Sequence, residues 1–471
     1  MYIEQIYTSC LSEASYYVES GGEAAIIDPM RDIDMYLRLA KERNTTVKYI
    51  FETHFHADFV SGHIDLSQAT GAPIIYGPDA RPSFRATIAK DKETFPLGSV
   101  FIEVLHTPGH TLESSCYLLK EENQKPYALF TGDTLFIGDV GRPDLAQKDA
   151  LHTTTDLAGI MYDSIQEKIL PLPDDVILYP AHGAGSSCGK NMSTRTVSSI
   201  KEQKETNYAL KAKSRGEFIT LVTDGLNTPP AYFPINAEIN KKGYNNLDDI
   251  LAKGLTPLSV KELKEMGKNP DIIILDTRPE AAFTEGFVPG SVFIGLDGRF
   301  AEWAGSILPF DKTLVLVTEP GKEKETIIRL ARVGLDKIDG YLEGGYAAWE
   351  NAGEKSDLIV NITPEELAMD YRFDEDIIVV DVRNELEYGD QHVKRAVNFP
   401  LEKLVDPAAY LSDIDDNFNL YIHCAGGYRS VIASSLIKKQ GFHNLRNVLG
   451  GFKAIKSTTN IPLEQRKEVA N

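Results

Sequence analysis

Cysteine is scarce in this sequence of 471 residues, and the few present are widely separated. They form no Cys-x-x-Cys pair, so neither a disulfide framework nor a thiolate zinc knuckle is expected; they are Cys10, Cys116, Cys188 and Cys424. Uninterrupted apolar runs of about 18 residues or more are absent, which argues against a transmembrane helix. Positive charge is in deficit, since 49 Lys and Arg face 69 Asp and Glu and give a formal net charge of −20. That balance disfavours nucleic acid or an anionic membrane as a partner.

A secretory signal is not expected either, because the N-terminus MYIEQIYTSC has no basic segment followed by an apolar core. We therefore expect a cytoplasmic protein with free thiols. Cys10 and Cys116 fall in apolar, strand-like surroundings, where packing is the default role. We also expect a homo-oligomer, with the number of subunits left open.

The chain is too long for one hydrophobic core, and its pattern predicts three α/β domains. The N-terminal part alternates short apolar runs with turn signals, and each run ends in polar or glycine-rich residues. The segment Thr223–Asn245, which holds three prolines, is predicted to be an irregular connector. A new βα pattern begins near Leu258. We assign the domains to residues 1–235, 256–356 and 362–466.

The two C-terminal domains look like copies of one module. IIILDTRPEAAF (Ile272–Phe283) matches IIVVDVRNELEY (Ile377–Tyr388) at an offset of 105 residues. TLVLVTEPGKEKE and NLYIHCAGGYRSV align at an offset of 106, as do the Gly-Gly pairs of YLEGGYAAW and NVLGGFKAI. Three matched landmarks at nearly constant offset favour a repeat over a chance match between two βα units, and a module of about a hundred residues fits the usual domain size.

A cluster of metal-ligand residue types begins at THFHADFVSGH, residues 53–63. His54, His56 and Asp58 alternate there as ligands do at a strand end, and the next residue, Phe59, stands where a further donor would complete a site for two ions. Other donors follow strand-like runs downstream: His110 in HTPGHT, Asp133 in TGDTLF and His182 in YPAHG. A lone histidine is more often a packing residue, but six His and Asp residues at four strand ends predict converging loops around an ion.

The motifs HxHxD, HTPGHT, TGDTLF and PAHG together resemble the metallo-β-lactamase fold, which implies an N-terminal αββα sandwich. A two-metal hydrolase of that fold, similar to a glyoxalase II thioesterase, needs a donor at the residue after Asp58. Phe59 has no donor atom, and His63, four positions on, should not replace it without a change of backbone. A single ion is therefore predicted.

The persulfide dioxygenase branch of that fold resembles this chain. In that branch one Fe(II) is held by the first histidine of HxHxD, the second histidine of HTPGHT and the aspartate of TGDT, which are His54, His110 and Asp133 here. Two imidazoles and one carboxylate leave three positions open for O₂ and substrate sulfur. Single-domain members keep a histidine at the position of Phe59. That histidine is not an iron ligand, so its loss should not remove the iron.

Five further residues are candidates for supporting roles. His56, Asp58 and His182 could orient ligands or water, with hydrogen bonding between loops as the alternative. Arg142, in GDVGRPDL, either attracts an anionic persulfide or thiol carrier or fixes a turn, and we favour the turn. Cys188, in AHGAGSSCGKN, either forms a transient persulfide near the iron or is a buried inert thiol, and we favour the inert thiol.

A reactive cysteine is predicted at HCAGGYRS, residues 423–430, between the apolar run NLYI and a helix-like segment. The helix N-terminus would stabilise a thiolate at Cys424, and Arg429 adds a cation. Gly426 and Gly427 allow the loop to curl so that backbone N–H groups surround the sulfur. This segment resembles a rhodanese active loop, and VDVRNELEY and the second Gly-Gly turn agree with that resemblance.

The length of this loop separates two chemistries. Cys424 and Arg429 bound a six-residue loop of the sulfurtransferase type, whereas cysteine phosphatases use a longer Cys-x₅-Arg cradle that holds a phosphate. The shorter loop favours a sulfane sulfur on Cys424. In the first copy Thr318 and Glu323 take the places of Cys424 and Arg429. That copy is therefore predicted to be inactive, with a scaffold or interdomain role.

Together these features predict a persulfide dioxygenase–rhodanese fusion: a dioxygenase with one Fe(II) per chain, an inactive rhodanese and an active rhodanese. O₂ and a low-molecular-weight thiol persulfide would give thiol and sulfite, and sulfite would remove a second sulfur from Cys424 as thiosulfate, in sulfide detoxification. The carrier stays open between glutathione, coenzyme A, bacillithiol and cysteine. Two alternatives remain. One is a zinc-dependent, glyoxalase II-like thioester hydrolase fused to a sulfurtransferase, and the other is a binding or sensing module whose rhodanese copies dock sulfur carriers.

Overall fold

The computed structural model describes residues 1–145, 152–373, 377–404 and 418–465. Residue 466, the predicted end of the third domain, lies outside them. The chain divides into two compact units, Met1–Leu247 with Leu330–Gly334, and Asp248–Arg329 with Leu335–Asn471. Among the helices in the described part of the chain, none combines the length and the apolar character needed to cross a membrane.

The first unit contains two six-stranded sheets whose strands lie side by side in sequence order. The first sheet consists of β1 (Tyr2–Thr8), β2 (Glu13–Ser20), β3 (Glu23–Ile27), β4 (Thr46–Glu52), β5 (Ile74–Tyr76) and β6 (Thr87–Ile88). The second sheet consists of β7 (Thr94–Leu97), β8 (Val100–His106), β9 (Ser115–Lys120), β10 (Pro126–Gly132), β11 (Ile177–Pro180) and β12 (Ser198–Ser199). Aromatic and β-branched residues are frequent in these strands, as half-buried pleated surfaces favour.

The two sheets pack face to face, and helices cover their outer faces. The shared core between the sheets includes Val18, Ile27, Phe51, Val104, Tyr117 and Phe130. On the first sheet pack α1 (Asp34–Glu42) and α2 (His63–Thr70). On the second pack α3 (Thr154–Ser164, continued by the π-helical turn Ile165–Ile169), α4 (Ile200–Thr206) and α5 (Arg215–Thr223). This arrangement confirms the predicted αββα sandwich.

Two local predictions are wrong. The segment Thr223–Asn245 is not an irregular connector throughout, because Phe233–Lys242 forms helix α6. Pro234 lies in the first turn of that helix, where its missing N–H removes no helical hydrogen bond and its fixed φ suits the helix. Cys10 lies in the turn between β1 and β2 rather than in a strand, whereas Cys116 is buried in β9 as expected.

The second unit contains two parallel five-stranded sheets with the same strand order. The first runs β13 (Pro257–Leu258), β17 (Ile338–Leu342), β16 (Thr313–Val317), β14 (Ile272–Asp276) and β15 (Val292–Phe293). The second runs β18 (Val360–Ile362), β23 (Leu445–Val448), β22 (Asn419–His423), β19 (Ile377–Asp381) and β21 (Val397–Asn398). A small antiparallel pair joins β20 (His392–Val393) and β24 (Leu463–Glu464). The shared order is what an internal repeat predicts, and it confirms two α/β domains after the sandwich.

Helices alternate with these strands. In the first copy they are α7 (Leu247–Gly254), α8 (Val260–Met266), α9 (Glu280–Glu285), α10 (Phe300–Ile307), α11 (Glu323–Ala331) and α12 (Gly345–Asn351). In the second they are α13 (Pro364–Phe373), α14 (Glu385–Asp390), a 3₁₀ turn at Leu401–Lys403, α15 (Tyr428–Lys439) and α16 (Gly451–Thr458). The carboxyl ends of parallel strands share one sheet edge, and loops there commonly build sites. Cys424 lies at that edge, between β22 and α15.

Candidate metal centre and cysteine loop

Four strand ends of the sandwich carry the six predicted donor residues. The segment after β4 carries His54, His56 and Asp58, and the segments after β8, β10 and β11 carry His110, Asp133 and His182. All six side chains are buried. They fall into separate groups that differ in what they can hold.

His54, His110 and Asp133 form the group that best fits a single metal ion. One ligand atom from each lies within 4.8 Å of the others. His110 Nε2 is 3.4 Å from Asp133 Oδ2, and His54 Nε2 is 4.0 Å from the same oxygen. The two imidazole rings stand at 89° to each other. Two imidazoles and one carboxylate are suitable donors for Fe(II) or zinc.

Asp133 gives the clearest sign that a cation belongs at this point. Both of its carboxylate oxygens are buried and accept no hydrogen bond from any described residue. Burying an ionised carboxylate in this way is costly unless a cation or donor compensates it. Although burial opposes it, His182 and His110 lower the pKa of Asp133 below its ordinary value. The residues present therefore fit a bound metal ion.

Neighbouring groups orient both imidazoles toward Asp133. His110 Nδ1 lies 2.9 Å from the carbonyl oxygen of Arg142 and so donates its hydrogen there, which leaves Nε2 as a ligand atom. Thr53 donates its hydroxyl hydrogen to Asp28 Oδ2 at 2.9 Å, so its oxygen accepts from His54 Nδ1 at 3.0 Å. Burial and the nearby His56 lower the pKa of His54 well below its ordinary value, which keeps this imidazole neutral.

His56 belongs to a different group. Its Nε2 lies 3.0 Å from Asp28 Oδ1 and 3.6 Å from Glu52 Oε2, and its ring packs on Phe59. Although burial lowers it, Asp28 and Glu52 raise the pKa of His56 to about 10. His63 Nδ1 lies 3.7 Å from the other oxygen of Glu52, and burial lowers the pKa of His63 to about 3. These contacts favour a protonated His56 that is paired with carboxylates.

Asp58, His182 and Cys188 form another buried group whose donor atoms lie within 4.8 Å of one another. His182 Nε2 lies 3.4 Å from both Asp58 Oδ2 and Asp133 Oδ1, and its Nδ1 lies 2.9 Å from Glu13 Oε2. These carboxylates raise the pKa of His182 well above its ordinary value, although burial opposes them. Burial, together with Asp58 and Asp133, raises the pKa of the Cys188 thiol. Through His182 and Asp133 this group lies directly beside the His54, His110 and Asp133 group.

Three carboxylates near these groups were not among the sequence candidates. Asp28 follows β3 in AAIIDP and could have been found as a polar residue at a strand end. Glu13 and Glu52 lie within strands. The alternation of side chains along a strand predicts which face of the sheet a residue occupies, but it does not predict that the residue contacts a histidine. All three are buried.

The Arg142 side chain is held by its own loop and by the loop after β11. Its Nε and Nη2 donate to the two carboxylate oxygens of Asp144 at 2.6 and 2.8 Å, and its Nη1 donates to the carbonyl of Ser187 at 3.1 Å. Only 4% of the residue is exposed. These contacts favour the interpretation that Arg142 fixes a turn. Its carbonyl also orients His110.

The Cys424 loop in the second unit curls around the sulfur. Gly427 donates its backbone N–H to Cys424 Sγ at 3.1 Å. Gly427 has a φ of +119°, which L side chains rarely adopt, whereas Gly426 is exposed with open space around it. Ser430 donates its hydroxyl to the Gly427 carbonyl at 2.6 Å, which fixes the loop to the first turn of α15.

The second Gly-Gly turn lets two loops approach closely. A Cβ on Gly451 would lie 2.3 Å from the carbonyl oxygen of Cys424. Phe452 donates its N–H to that oxygen at 2.6 Å. In the first copy, a Cβ on Gly345 would lie 2.7 Å from the carbonyl oxygen of Thr318. The loop geometry is thus kept in both copies, although the nucleophile is present in one.

Arg429 forms a two-pronged ion pair with Glu387. Its Nη1 and Nη2 donate to Glu387 Oε2 and Oε1 at 2.7 and 2.8 Å. Although burial opposes it, Arg429 lowers the pKa of Glu387. The matching residues of the first copy are Glu323 and Ala282, so the pair is confined to the copy with the cysteine.

The Asp-x-Arg motif, by contrast, has a structural role in both copies. Arg383 binds both oxygens of Asp381 and lies 3.9 Å above the ring of Phe452. Arg278 binds Asp276 in the same way and lies 4.0 Å above the ring of Tyr346. Because the first copy keeps this arrangement without a nucleophile, the motif supports the fold rather than the reaction.

Family models match most of the chain. Residues 9–182 match the metallo-beta-lactamase superfamily, and residues 259–352 and 363–458 each match the rhodanese-like domain. The crystal structure of a metallo-beta-lactamase from Staphylococcus aureus subsp. aureus COL is similar, with 31% identity and a TM-score of 0.64 over 73% of this chain and 98% of the other. ETHE1 from Myxococcus xanthus is 29% identical with a TM-score of 0.43, over 51% of this chain and all of the other.

A probable hydroxyacylglutathione hydrolase, glo2, from Schizosaccharomyces pombe is 33% identical over 36% of this chain. The match covers 62% of that relative, and two others like it are covered to 60%. The chain therefore spans about three fifths of the length of the curated relatives it matches.

Proposed function

Since this chain belongs to the metallo-β-lactamase superfamily and continues into two rhodanese-like domains, we propose that it is a persulfide dioxygenase coupled to a sulfurtransferase. In the first step a thiol persulfide reacts as RSSH + O₂ + H₂O → RSH + SO₃²⁻ + 2H⁺. In the second, Cys424 takes the outer sulfur of another persulfide and passes it to sulfite. The proposed setting is sulfide detoxification in the cytoplasm.

The observation that carries the first activity is the group His54, His110 and Asp133, with Phe59 in place of a further donor. Fe(II) bound by these three residues would supply the redox chemistry that O₂ requires and would leave positions for substrate. The chain itself orients both imidazoles, through Arg142 and Thr53. His182 Nε2 lies 3.4 Å from both Asp58 Oδ2 and Asp133 Oδ1, at the edge of this group, where its imidazole is placed to move a proton. Buried surroundings exclude water from the donors.

The second activity is supported by the Cys424 loop. The Cys424 thiolate would attack the outer sulfur of RSSH, so that the S–S bond breaks and the proton leaves with the thiol: Cys–S⁻ + RSSH → Cys–S–S⁻ + RSH. Sulfite then attacks the outer sulfur and releases thiosulfate: Cys–S–S⁻ + SO₃²⁻ → Cys–S⁻ + S₂O₃²⁻. The Gly427 N–H, 3.1 Å from Cys424 Sγ, would stabilise the thiolate with which this cycle begins and ends. Arg429 lies beside the loop in its ion pair with Glu387.

A second candidate function is zinc-dependent thioester hydrolysis joined to sulfur transfer. It is favoured by the hydroxyacylglutathione hydrolases among the relatives. It is also favoured by the Asp58, His182 and Cys188 group, in which Cys188 offers a donor that Phe59 lacks. That function requires two ions rather than one.

The test combines metal analysis with oxygen uptake on glutathione and coenzyme A persulfides, with sulfite and thiosulfate separated. We expect about one iron per chain and thiosulfate from the wild type, mainly sulfite from Cys424→Ser, and no uptake from His110→Ala. His106→Ala is the control, because His106 lies in the same motif but donates its Nε2 hydrogen to the Leu112 carbonyl at 2.9 Å. About two zinc ions per chain, with thioester hydrolysis and no oxygen uptake, would favour the second candidate. If Cys424→Ser formed thiosulfate as the wild type does, Cys424 would not be the sulfur carrier. The rhodanese copies would then be binding modules that dock sulfur carriers.

A further inference from the structure

The helix that follows the Cys424 loop is buried along its whole middle. In α15 every residue from Ser430 to Lys438 is buried, including three serines and a lysine. A helix on the face of an α/β sheet normally exposes one side to water. Part of this helix is covered by the first rhodanese copy, through residues that follow or belong to β15.

Three contacts join α15 to the first copy. Tyr428 donates its hydroxyl to the carbonyl of Gly295 at 3.0 Å. Ser435 accepts the backbone N–H of Phe293 at 3.0 Å. Lys438 Nζ lies 2.8 Å from Asp357 Oδ1, in the segment after the first copy's last helix. These contacts are spread over the length of α15, so the first copy restrains the helix at several points.

Tyr428 is the contact nearest the nucleophile. It lies within the six-residue loop, directly after the Gly427 whose N–H points at Cys424 Sγ. Its ring meets that of Phe293 with centroids 5.8 Å apart. A Cβ on Gly295 would lie 3.4 Å from Tyr428 Cε2 and 3.1 Å from Phe293 Cζ, so the glycine makes room for this contact.

The segment of the first copy that contacts Tyr428 is itself held in place by hydrogen bonds. Arg329, a buried residue of α11, donates to the carbonyls of Leu296 and Gly298, which closely follow Gly295 in the chain. In the first copy the position of Tyr428 is taken by Lys322, which pairs with Glu325 at 2.9 Å and is half exposed. The tyrosine anchor is therefore a feature of the loop that carries the cysteine.

We propose that Tyr428 is a positioning residue for Cys424, and that the first rhodanese copy, which lacks a nucleophile, serves to hold it. The hydroxyl bond to Gly295 and the ring contact with Phe293 fix the Gly427–Tyr428 part of the loop. This fixes the Gly427 N–H on the Cys424 sulfur. The kinetic part of the inference rests on the proposed sulfur transfer, but the positioning itself does not.

The test uses Tyr428→Phe in the full chain, which removes only the hydroxyl. The first readout is the pH dependence of Cys424 alkylation by iodoacetamide, followed on the Cys424 peptide by mass spectrometry. We expect its midpoint to rise by about half a unit to one unit, because a loosened N–H stabilises the thiolate less. The second readout is sulfur transfer from glutathione persulfide to sulfite. We expect kcat to fall about five- to tenfold, because the Cys424 sulfur would be displaced from its reacting position. The KM for sulfite should stay within about twofold of the wild-type value.

Two further variants keep the inference falsifiable. Ser435→Ala removes the acceptor of the Phe293 N–H, a second of the three contacts with the first copy, and should move both readouts in the same direction. Tyr371→Phe is the matched control, because Tyr371 donates its hydroxyl to the Lys394 carbonyl at 2.7 Å within the second copy, and both readouts should stay at the wild-type values. Wild-type alkylation and kcat in Tyr428→Phe and Ser435→Ala would overturn the inference. A shifted alkylation midpoint in a chain whose wild type moves no sulfur would instead refute the sulfurtransferase and leave the positioning intact.

Discussion

The ring of Phe59 lies against the ring of His56, with centroids 4.4 Å apart and planes inclined by 39°. Both residues are fully buried. Phe59 thus packs against the face of His56 while His56 Nε2 points at Asp28, at 3.0 Å. The residue that stands where a second metal would need a donor instead supports the orientation of a histidine outside the His54, His110 and Asp133 group.

His56 is therefore expected to be dispensable for iron but important for stability. His56→Gln should keep about one iron per chain, while His110→Ala should lose it. The glutamine leaves the buried Asp28 carboxylate without a cationic partner, so the free energy of unfolding should fall by about 3 kcal/mol. Metal analysis and urea unfolding of both variants check this. Loss of iron from His56→Gln to the level of His110→Ala would make His56 a ligand.

The same pair predicts a loss of stability in alkaline solution. Asp28 and Glu52 raise the pKa of His56 from its ordinary 6.5 to about 10 in the folded chain, against the effect of burial. A raised pKa stabilises the fold fully below the unfolded value, and that stabilisation is lost as the pH rises through the folded value. The Tm difference between wild type and His56→Gln should therefore be largest near pH 6 and shrink toward pH 10. A pH-independent difference would mean that His56 acts through packing alone.

Cys188 is predicted to be neither a ligand nor a nucleophile. Burial, Asp58 and Asp133 raise the pKa of its thiol, so it stays protonated at neutral pH. Chains refolded with excess zinc should bind about one ion in both wild type and Cys188→Ser. Oxygen uptake should also be similar in the two. If wild type bound two zinc ions and Cys188→Ser bound one, the Asp58, His182 and Cys188 group would be a second metal site.

The alternation of apolar runs and polar segments in the sequence predicts much of the fold and the positions of the donor residues. Each donor segment comes directly after a strand, so the end of the strand predicts where the side chain lies. The path of the loop after β11 has no such periodicity, and it is this loop that brings Cys188 to Asp58 and His182. The sequence predicts that Phe59 offers no donor atom, but its ring contact with His56 depends on the path of the segment after β4, which no periodic pattern encodes.

In the second unit, the internal repeat was more informative than any single motif. Comparison of Cys424 with Thr318 separates the loop that keeps a nucleophilic thiol from the one that has lost it. What the repeat could not predict is the contact of Tyr428 with Gly295, because alignment of two copies says nothing about how they meet. The structure shows that contact, and the proposed role of the first copy rests on it.

The two glycines of the Cys424 loop are expected to differ. Gly427→Ala must place a side chain at φ +119°, a strain of about 1–3 kcal/mol, so the loop should move and the N–H should leave the sulfur. Sulfur transfer should fall by about tenfold or more. Gly426→Ala meets nothing within 4 Å and should keep activity within about twofold. Equal loss in both variants would show that the sulfur is held by other contacts.

Glu387 is predicted to limit the affinity of the loop for anions. Both terminal nitrogens of Arg429 are taken by Glu387, so an incoming dianion meets a neutral pair rather than a free guanidinium. Glu387→Gln should therefore lower the KM for sulfite about three- to tenfold and make sulfate a stronger inhibitor, as an uncovered cation would. The pair is partly exposed, so stability should change by less than about 1 kcal/mol.

The matched control for Glu387 lies on the same helix. Glu385→Gln breaks an exposed pair with Lys403 and should leave both the KM for sulfite and inhibition by sulfate unchanged. If the KM rose in Glu387→Gln, the glutamate would be needed to hold Arg429 in a productive orientation. In that case Glu387→Asp should partly restore sulfite binding, because it keeps the charge that engages the guanidinium. A KM that stays at the wild-type value in all three variants would remove Arg429 from sulfite binding altogether.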